Sequence, residues 1–283
     1  MDSMDFSLNS QQVRFFETFG YLAFPGLMLD RIDEITEAFE SVWAERGGGH
    51  NGKPHDGSAR SCIVPFIDQS ANLSALIDDP RILAIATTLL GEDFNYMGSD
   101  GNYYVGDTGW HSDGWHPDGK PQHLKLAFYL DPLKRDSGAL RVIPGSHLDG
   151  DGYAATLQEN IRNIPENWGV DGSEIPATVL ETLPGDLVCF NHNTKHAAFG
   201  GSNKRRMFTI NLCQRYPADQ IKDLRDYMAG GARFWIDKAY GPQMMATAGT
   251  SRKKHLEQIM ANDDHLAELS LQAKQKMDEP SRG

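Results

Sequence analysis

Between residues 95 and 215 the chain breaks into short runs rich in Tyr, Phe, Leu, Val and Thr, separated by Gly, Asp and Pro. NYYVG, HLKLAFYL, GALRVIP, ATVLETL, GDLVCF and RRMFTINL follow one another in this way. Strand-length runs of β-favouring residues with turn signals between them predict an all-β barrel or sandwich. This stretch limits the fold more than any other feature, because helical patterning appears only on either side of it.

On the N-terminal side, Asn9 is placed to cap a helix with Gln12 three positions on. Val13, Phe16 and Phe19 fall at helical spacing, and Gly20 ends the run. The run YLAFPG reads as a short strand stopped by Pro25 and Gly26. Asp30 opens a second helix with Ile32, Ile35, Phe39, Val42 and Trp43 as its apolar stripe. Residues 47–57 hold five glycines and a proline. They read as a loop, with His50 and His55 expected in solvent rather than on a metal. A helical segment over residues 72–90 is broken by Pro80.

After Pro217 the pattern is helical again, with Leu224, Tyr227 and Met228 on one face. The last piece, residues 254–276, is highly charged with a thin stripe of Leu256, Ile259, Leu266 and Leu269. Packing on the β-core, covering a site and self-association into a homodimer are all open to it. The division expected is residues 1–220 as a β-domain with N-terminal helices, and residues 221–283 as a helical extension packed on that domain.

A chain of 283 residues can bury one large core. Its net charge of -12 argues against a nucleic-acid partner, which needs clustered Lys and Arg, although a local basic pocket is compatible with it. Cys62, Cys189 and Cys213 form no CxxC pair and suit a reducing compartment as small buried residues. Asp2 and Asp5 stand where a signal peptide would have a basic region. No stretch approaches the roughly 18 apolar residues of a membrane span. A cytoplasmic protein is expected.

Chemistry concentrates in residues 109–116, GWHSDGWH. On a strand, residues two apart share a face, so His111 and Asp113 converge on one point. A third ligand from a distant strand would complete a two-histidine, one-carboxylate triad, which leaves coordination positions open and suits non-haem iron(II). The stretch after PGDLVCF supplies two candidates, His192 and His196. Arg205 and Arg206 follow at the mouth of the next strand. A guanidinium there suits a dicarboxylate co-substrate through paired, charge-assisted hydrogen bonds.

Taken together, these motifs resemble the phytanoyl-CoA dioxygenase superfamily, and around His111 they are similar to ectoine hydroxylase. The resemblance is carried by Trp110-His111-Ser112-Asp113, by Trp115-His116 with Asp118-Gly119 after it, by SGALRVIPGSH at residues 137–147 and by FFETFGYLAFPG at residues 15–26. It covers about residues 9–215. It implies a mainly β fold with flanking helices around a double-stranded β-helix core, jelly-roll and cupin-like. It also implies an enzyme that uses iron(II), 2-oxoglutarate and dioxygen.

Carried over residue by residue, the metal ligands are His111, Asp113 and His196, and the 2-oxoglutarate arginine is Arg205 with Arg206 as neighbouring alternative. A co-substrate asparagine falls on Asn102. The superfamily's serine after the distal histidine is absent from His196-Ala197-Ala198; Thr209 offers a hydroxyl from the neighbouring strand. A carboxylate at 113 separates the chain from halogenases of the group, which have a small residue there.

Trp110, Trp115, His116 and Lys125 are candidates for substrate contact, although an outward-facing lysine and packed tryptophans explain the pattern as well. The expected reaction is hydroxylation of an unactivated C–H bond in a small molecule, with succinate and carbon dioxide released. Desaturation, epoxidation or cyclisation in natural-product biosynthesis would use the same cofactors. A non-catalytic binding barrel and a zinc hydrolase are the readings from other classes.

Overall fold

The computed structural model describes residues 6–47, 50, 52–114, 121–148 and 150–283. Its strands, in chain order, are β1 (Tyr21–Phe24), β2 (Ser61–Ile63), β3 (Asn95–Gly98), β4 (Gly101–Tyr104), β5 (Thr108–His111), β6 (His123–Tyr129), β7 (Leu140–Val142), β8 (Thr178–Leu180), β9 (Leu187–Asn191), β10 (His196–Ala198) and β11 (Arg205–Cys213). The main helices are α1 (Ser10–Phe19), α2 (Ile32–Arg46), α3 (Ala71–Ser74), α4 (Pro80–Leu90), α5 (Gly152–Asn160), α6 (Ile164–Trp168), α7 (Ile221–Ala229), α8 (Pro242–Thr247), α9 (Thr250–Lys253), α10 (Glu257–Met260) and α11 (Leu266–Lys274).

The strands form two antiparallel sheets. The larger runs β1-β9-β6-β11-β4-β2, with β3 added to β11. The smaller runs β5-β10-β7-β8. Inner residues of both sheets, among them Ala127, Phe190 and Met207 from one and Leu140 and Val142 from the other, share one apolar cluster. The sheets therefore face each other, as in a double-stranded β-helix, without closing into a barrel.

The period-2 rule explains this packing. On β6, Leu124, Leu126 and Phe128 point outward into the large core beneath the helices, while Lys125, Ala127 and Tyr129 point between the sheets. On β11, Phe208, Ile210 and Leu212 join the outer core, and Arg205, Met207 and Thr209 face inward. Both faces are covered, so these strands read as nearly continuous apolar runs.

Helices are expected only on either side of residues 95–215, but α5 and α6 lie inside that stretch, between β7 and β8; the N-terminal helices follow their sequence signals. Asn9 and Gln12 form a reciprocal capping box on α1, and Gly20 closes it in the left-handed region at φ 83°. In α2, Ile35, Ala38, Phe39, Val42 and Trp43 are buried. Pro80 marks the break between two helical pieces and sits in the first turn of α4, where its missing N–H costs nothing.

Beyond Pro217, Leu224, Met244, Leu256, Ile259 and Leu266 enter the same core as α2 and α4. The charged piece at residues 254–276 is not one helix but three short elements, α10 and α11 with a turn before them. The three cysteines are buried and free. No helix among the described residues is long and apolar enough to cross a membrane.

The glycine-rich loop departs from expectation. His50 is 1 % exposed, and its Nε2 accepts from the Cys62 amide at 3.0 Å. His55 bridges Ser61 Oγ at 2.9 Å and the Asn203 carbonyl at 2.7 Å. Both histidines are structural: their rings tie residues 50 and 55 to β2 and to the Asn203 carbonyl.

Candidate active site

The strand register brings the central residues together. β10 pairs with β5 so that His196 lies directly opposite His111, and directly opposed residues are the closest neighbours in an antiparallel ladder. Asp113 follows two residues after His111, and its amide donates to the His192 carbonyl at 3.1 Å. The result is a cluster in which one ligand atom from each of His111, Asp113 and His196 lies within 4.8 Å of the others. His196 Nε2 is 3.5 Å from Asp113 Oδ2, and His111 Nε2 is 3.9 Å from Asp113 Oδ1. Atoms so spaced can share one ion at the roughly 2 Å of metal–nitrogen and metal–oxygen bonds.

Hydrogen bonding fixes the tautomers. Nδ1 of His111 sits 2.8 Å from the Gly109 carbonyl, and Nδ1 of His196 sits 2.9 Å from the Thr194 carbonyl. A carbonyl oxygen only accepts, so each Nδ1 carries the proton and each Nε2 turns a lone pair toward Asp113. Burial, with His111 beside it, pushes the His196 imidazole down to about 3, so it is neutral at physiological pH. Burial alone would raise the Asp113 carboxyl, but Lys125 and the imidazoles of His196, His192 and His111 outweigh it and hold it well below the usual range. Two imidazole nitrogens and an ionised carboxylate form the donor set that a divalent metal requires.

The cluster stands between two cavities. The inner one, about 60 Å³, is lined by Tyr104, Lys125, Tyr129, Arg205 and Thr209 together with all three cluster residues. Arg205 is 3 % exposed, and its Nη1 has no hydrogen-bond partner among the described residues. Gly138 and Gly201 make room for it: a Cβ on Gly138 would come within 1.8 Å of Nη1, and one on Gly201 within 2.3 Å. A buried guanidinium in a backbone cradle, with an unpaired N–H facing a cavity, fits a carboxylate such as the distal end of 2-oxoglutarate. Arg206 lies on the other face of β11 and pairs with Asp131 at 2.7 Å and Glu40 at 2.9 Å.

The outer cavity is a cleft of about 600 Å³ that also reaches His111, Asp113 and Lys125. Its further walls come from β3, the segment after α7 and the chain's last residues. Ser281 N donates to the Arg233 carbonyl at 2.9 Å, and Arg282 Nη1 to the Arg60 carbonyl at 2.9 Å.

The remaining candidates fall in different places. Lys125 points inward, with Nζ 2.9 Å from Asp113 Oδ2. Thr209 lines the inner cavity, and its hydroxyl donates to Asp100. Asn102 is fully buried and lines neither cavity; its amide is held by Arg60 at 2.7 Å and by Asp100 at 2.6 Å. Trp110 also lines neither. Its ring packs with Ile143, Leu157 and Ile164, and Nε1 donates to the Gly172 carbonyl at 2.7 Å. Position 110 is on the opposite face of β5 from His111, which turns the ring toward α5 and α6. Trp115 and His116 lie outside the described residues. Sequence reasoning passed over Tyr104 and Tyr129 and the two cradle glycines, although Gly138 stands inside the SGALRVIPGSH motif.

Residues 16–208 match the family model for phytanoyl-CoA dioxygenase (PhyH). No curated protein sequence matches significantly. Among solved structures, the fold is similar to the non-haem α-ketoglutarate-dependent carbocyclase SnoK of nogalamycin biosynthesis, at 22 % identity over 73 % of this chain and 84 % of that one, TM-score 0.57. EctD from S. alaskensis with 2-oxoglutarate and 5-hydroxyectoine is 20 % identical over 76 % of this chain and 81 % of that one, TM-score 0.54. HygX from Streptomyces hygroscopicus with nickel and 2-oxoglutarate is 15 % identical over 74 % and 88 %, TM-score 0.58. The fold and cluster define a cupin-like oxygenase with a site for one metal ion. The chain belongs to the phytanoyl-CoA dioxygenase family, and is thus an oxidoreductase that works with iron, 2-oxoglutarate and dioxygen.

Proposed function

We propose that the protein hydroxylates an unactivated C–H bond of a small molecule, with His111, Asp113 and His196 as iron ligands and Arg205 as the anchor of 2-oxoglutarate. The observation that carries the reading is the unpaired Nη1 of Arg205, buried in a small cavity that the ligand cluster borders. Arg205 forms no ion pair among the described residues; its guanidinium lies over the Tyr104 ring, 5.2 Å from the centroid. Iron(II) held by the cluster, with 2-oxoglutarate and dioxygen, would supply the oxidising power for C–H oxygenation and release succinate and carbon dioxide.

The chain's own part is orientation and exclusion. The Gly109 and Thr194 carbonyls keep both imidazoles in the ligating tautomer. Lys125 fixes the Asp113 carboxylate by an ion pair, in a site whose low dielectric strengthens that attraction. Tyr104 and Tyr129 wall the inner cavity beside Arg205 and leave little space for water. The outer cleft offers the substrate access to the same cluster from another side.

Succinate formation from 2-oxoglutarate, dependent on added iron(II) and oxygen, tests the assignment. His111→Ala and Asp113→Ala should abolish it. Retention of parental iron affinity in either variant would refute these ligands. Mass analysis of the product identifies hydroxylation by the gain of one oxygen atom.

A further inference from the structure

The outer cleft carries charge that the chemistry at the metal cluster does not use. Among the described residues two side-chain carboxylates line it, and each is matched. Arg60 Nη2 lies 3.7 Å from Asp100, and Lys125 Nζ lies 2.9 Å from Asp113. Arg162 and Arg233 line the same cleft and form no ion pair with any described residue. The chain as a whole has a net charge of -12. Two unmatched guanidiniums at one concave mouth therefore stand out as a local positive field, which low-dielectric walls focus.

The rest of the lining is largely apolar. Met97 from β3, Met228 from α7, and Phe234 and Ile236 from the segment after it face the cleft. His111 and Asp113 form part of the same wall, so a molecule seated here reaches the metal cluster. A volume of about 600 Å³ lies in the range of drug-sized ligands. A cation would meet charge of its own sign at this mouth, and a neutral molecule would gain nothing from the two arginines. An anionic head gains charge-assisted hydrogen bonds from a guanidinium at this mouth.

We propose that the cleft binds an amphipathic organic anion, with its apolar body along the Met97, Met228, Phe234 and Ile236 wall and its carboxylate or phosphate head on Arg162 and Arg233. The inference deepens the oxygenase reading and rests on it, since it names the class of molecule whose C–H bond is presented to the cluster.

The test is calorimetric titration of the protein with iron(II) and 2-oxoglutarate in the absence of oxygen, so that heats report binding alone. The probes are decanoate, decyl phosphate and decyltrimethylammonium, each below its micelle concentration. At least one anion should bind tenfold or more tightly than the cation, and added salt should weaken it. The double variant Arg162→Ala, Arg233→Ala should lose at least tenfold of that affinity; both side chains are exposed, so the fold should be unaffected. The relative affinities of decanoate and decyl phosphate identify the head group. Equal or tighter binding of the cation, no binding by either anion, or an unchanged double variant would overturn the proposal. Repeating the titration with His111→Ala separates the two claims. Arginine-dependent binding that survives there, in a protein with no 2-oxoglutarate turnover even before the substitution, would sink the oxygenase reading and leave the cleft's preference standing.

Discussion

In the proposed reading, co-substrate recognition turns on Arg205, which lies buried against Gly138 and Gly201. Removing one partner of a buried charge pair costs about 2–5 kcal/mol. Arg205→Ala should therefore raise the 2-oxoglutarate concentration needed for half-maximal turnover by at least about 30-fold, with iron affinity unchanged; titration of each component separately checks this. Gly138→Ala should act on the same step. At φ +89° a side chain is strained, at a cost of about 1 kcal/mol, and its Cβ would displace the guanidinium. Weaker 2-oxoglutarate binding with a small loss of thermal stability is the expected pair of results. The sequence places His111 and Asp113 together as strand neighbours on one face; they do lie together, but β5 ends at His111 and Asp113 sits in the bend just after it. The choice of His196 over His192 was not legible from spacing, because it depends on a cross-strand register between β5 and β10. Lys125 was ambiguous for a related reason: with both faces of β6 buried, alternation no longer marks which side is in.

At the level of elements, α4 illustrates how one carboxylate can anchor a helix. Asp79 caps it by accepting from the Arg81 amide at 3.0 Å, pairs with the Arg81 guanidinium at 2.8 Å and with Arg31 at 3.1 Å. Burial would raise this carboxyl, but the bonds from Arg81 and Arg31 hold it below its ordinary value. Asp79→Ala removes the cap and leaves Arg81 short of charge compensation, so a loss of about 3 kcal/mol is expected in urea unfolding at neutral pH. The sign with pH follows from the lowered pKa. The contribution is complete above the unfolded value of about 4 and vanishes as pH falls through the lower folded value, so parent and variant should converge in acid. Element types and their punctuation by Gly20, Pro80 and Pro217 were readable because caps and breakers act locally. The loop around His50 was misjudged because its glycine content says nothing about a surface onto which it folds.

For the whole molecule, the sheets place the His111, Asp113 and His196 cluster between a small cavity and a large cleft, and the C-terminal elements supply part of the cleft. Leu224, Met244, Leu256, Ile259 and Leu266 are each no more than 1 % exposed. Fully burying one such side chain is worth about 1.5–3 kcal/mol, so we propose that residues 221–283 are an integral part of the domain. A chain ending at residue 220 should be insoluble or unfolded; a soluble truncation with parental circular dichroism would contradict this. These helices were visible as helices, but their place over the cleft depends on long-range packing that no local pattern encodes.

Anaerobic addition of iron(II) and 2-oxoglutarate, followed by the visible charge-transfer absorption of the ternary complex, examines the shared centre most directly. The parent protein and His192→Ala should give a saturable band at one iron per chain, His196→Ala should give none, and Arg205→Ala should need far more 2-oxoglutarate to reach it. A full band in His196→Ala, at parental concentrations of both components, would mean that the three side chains do not hold one ion.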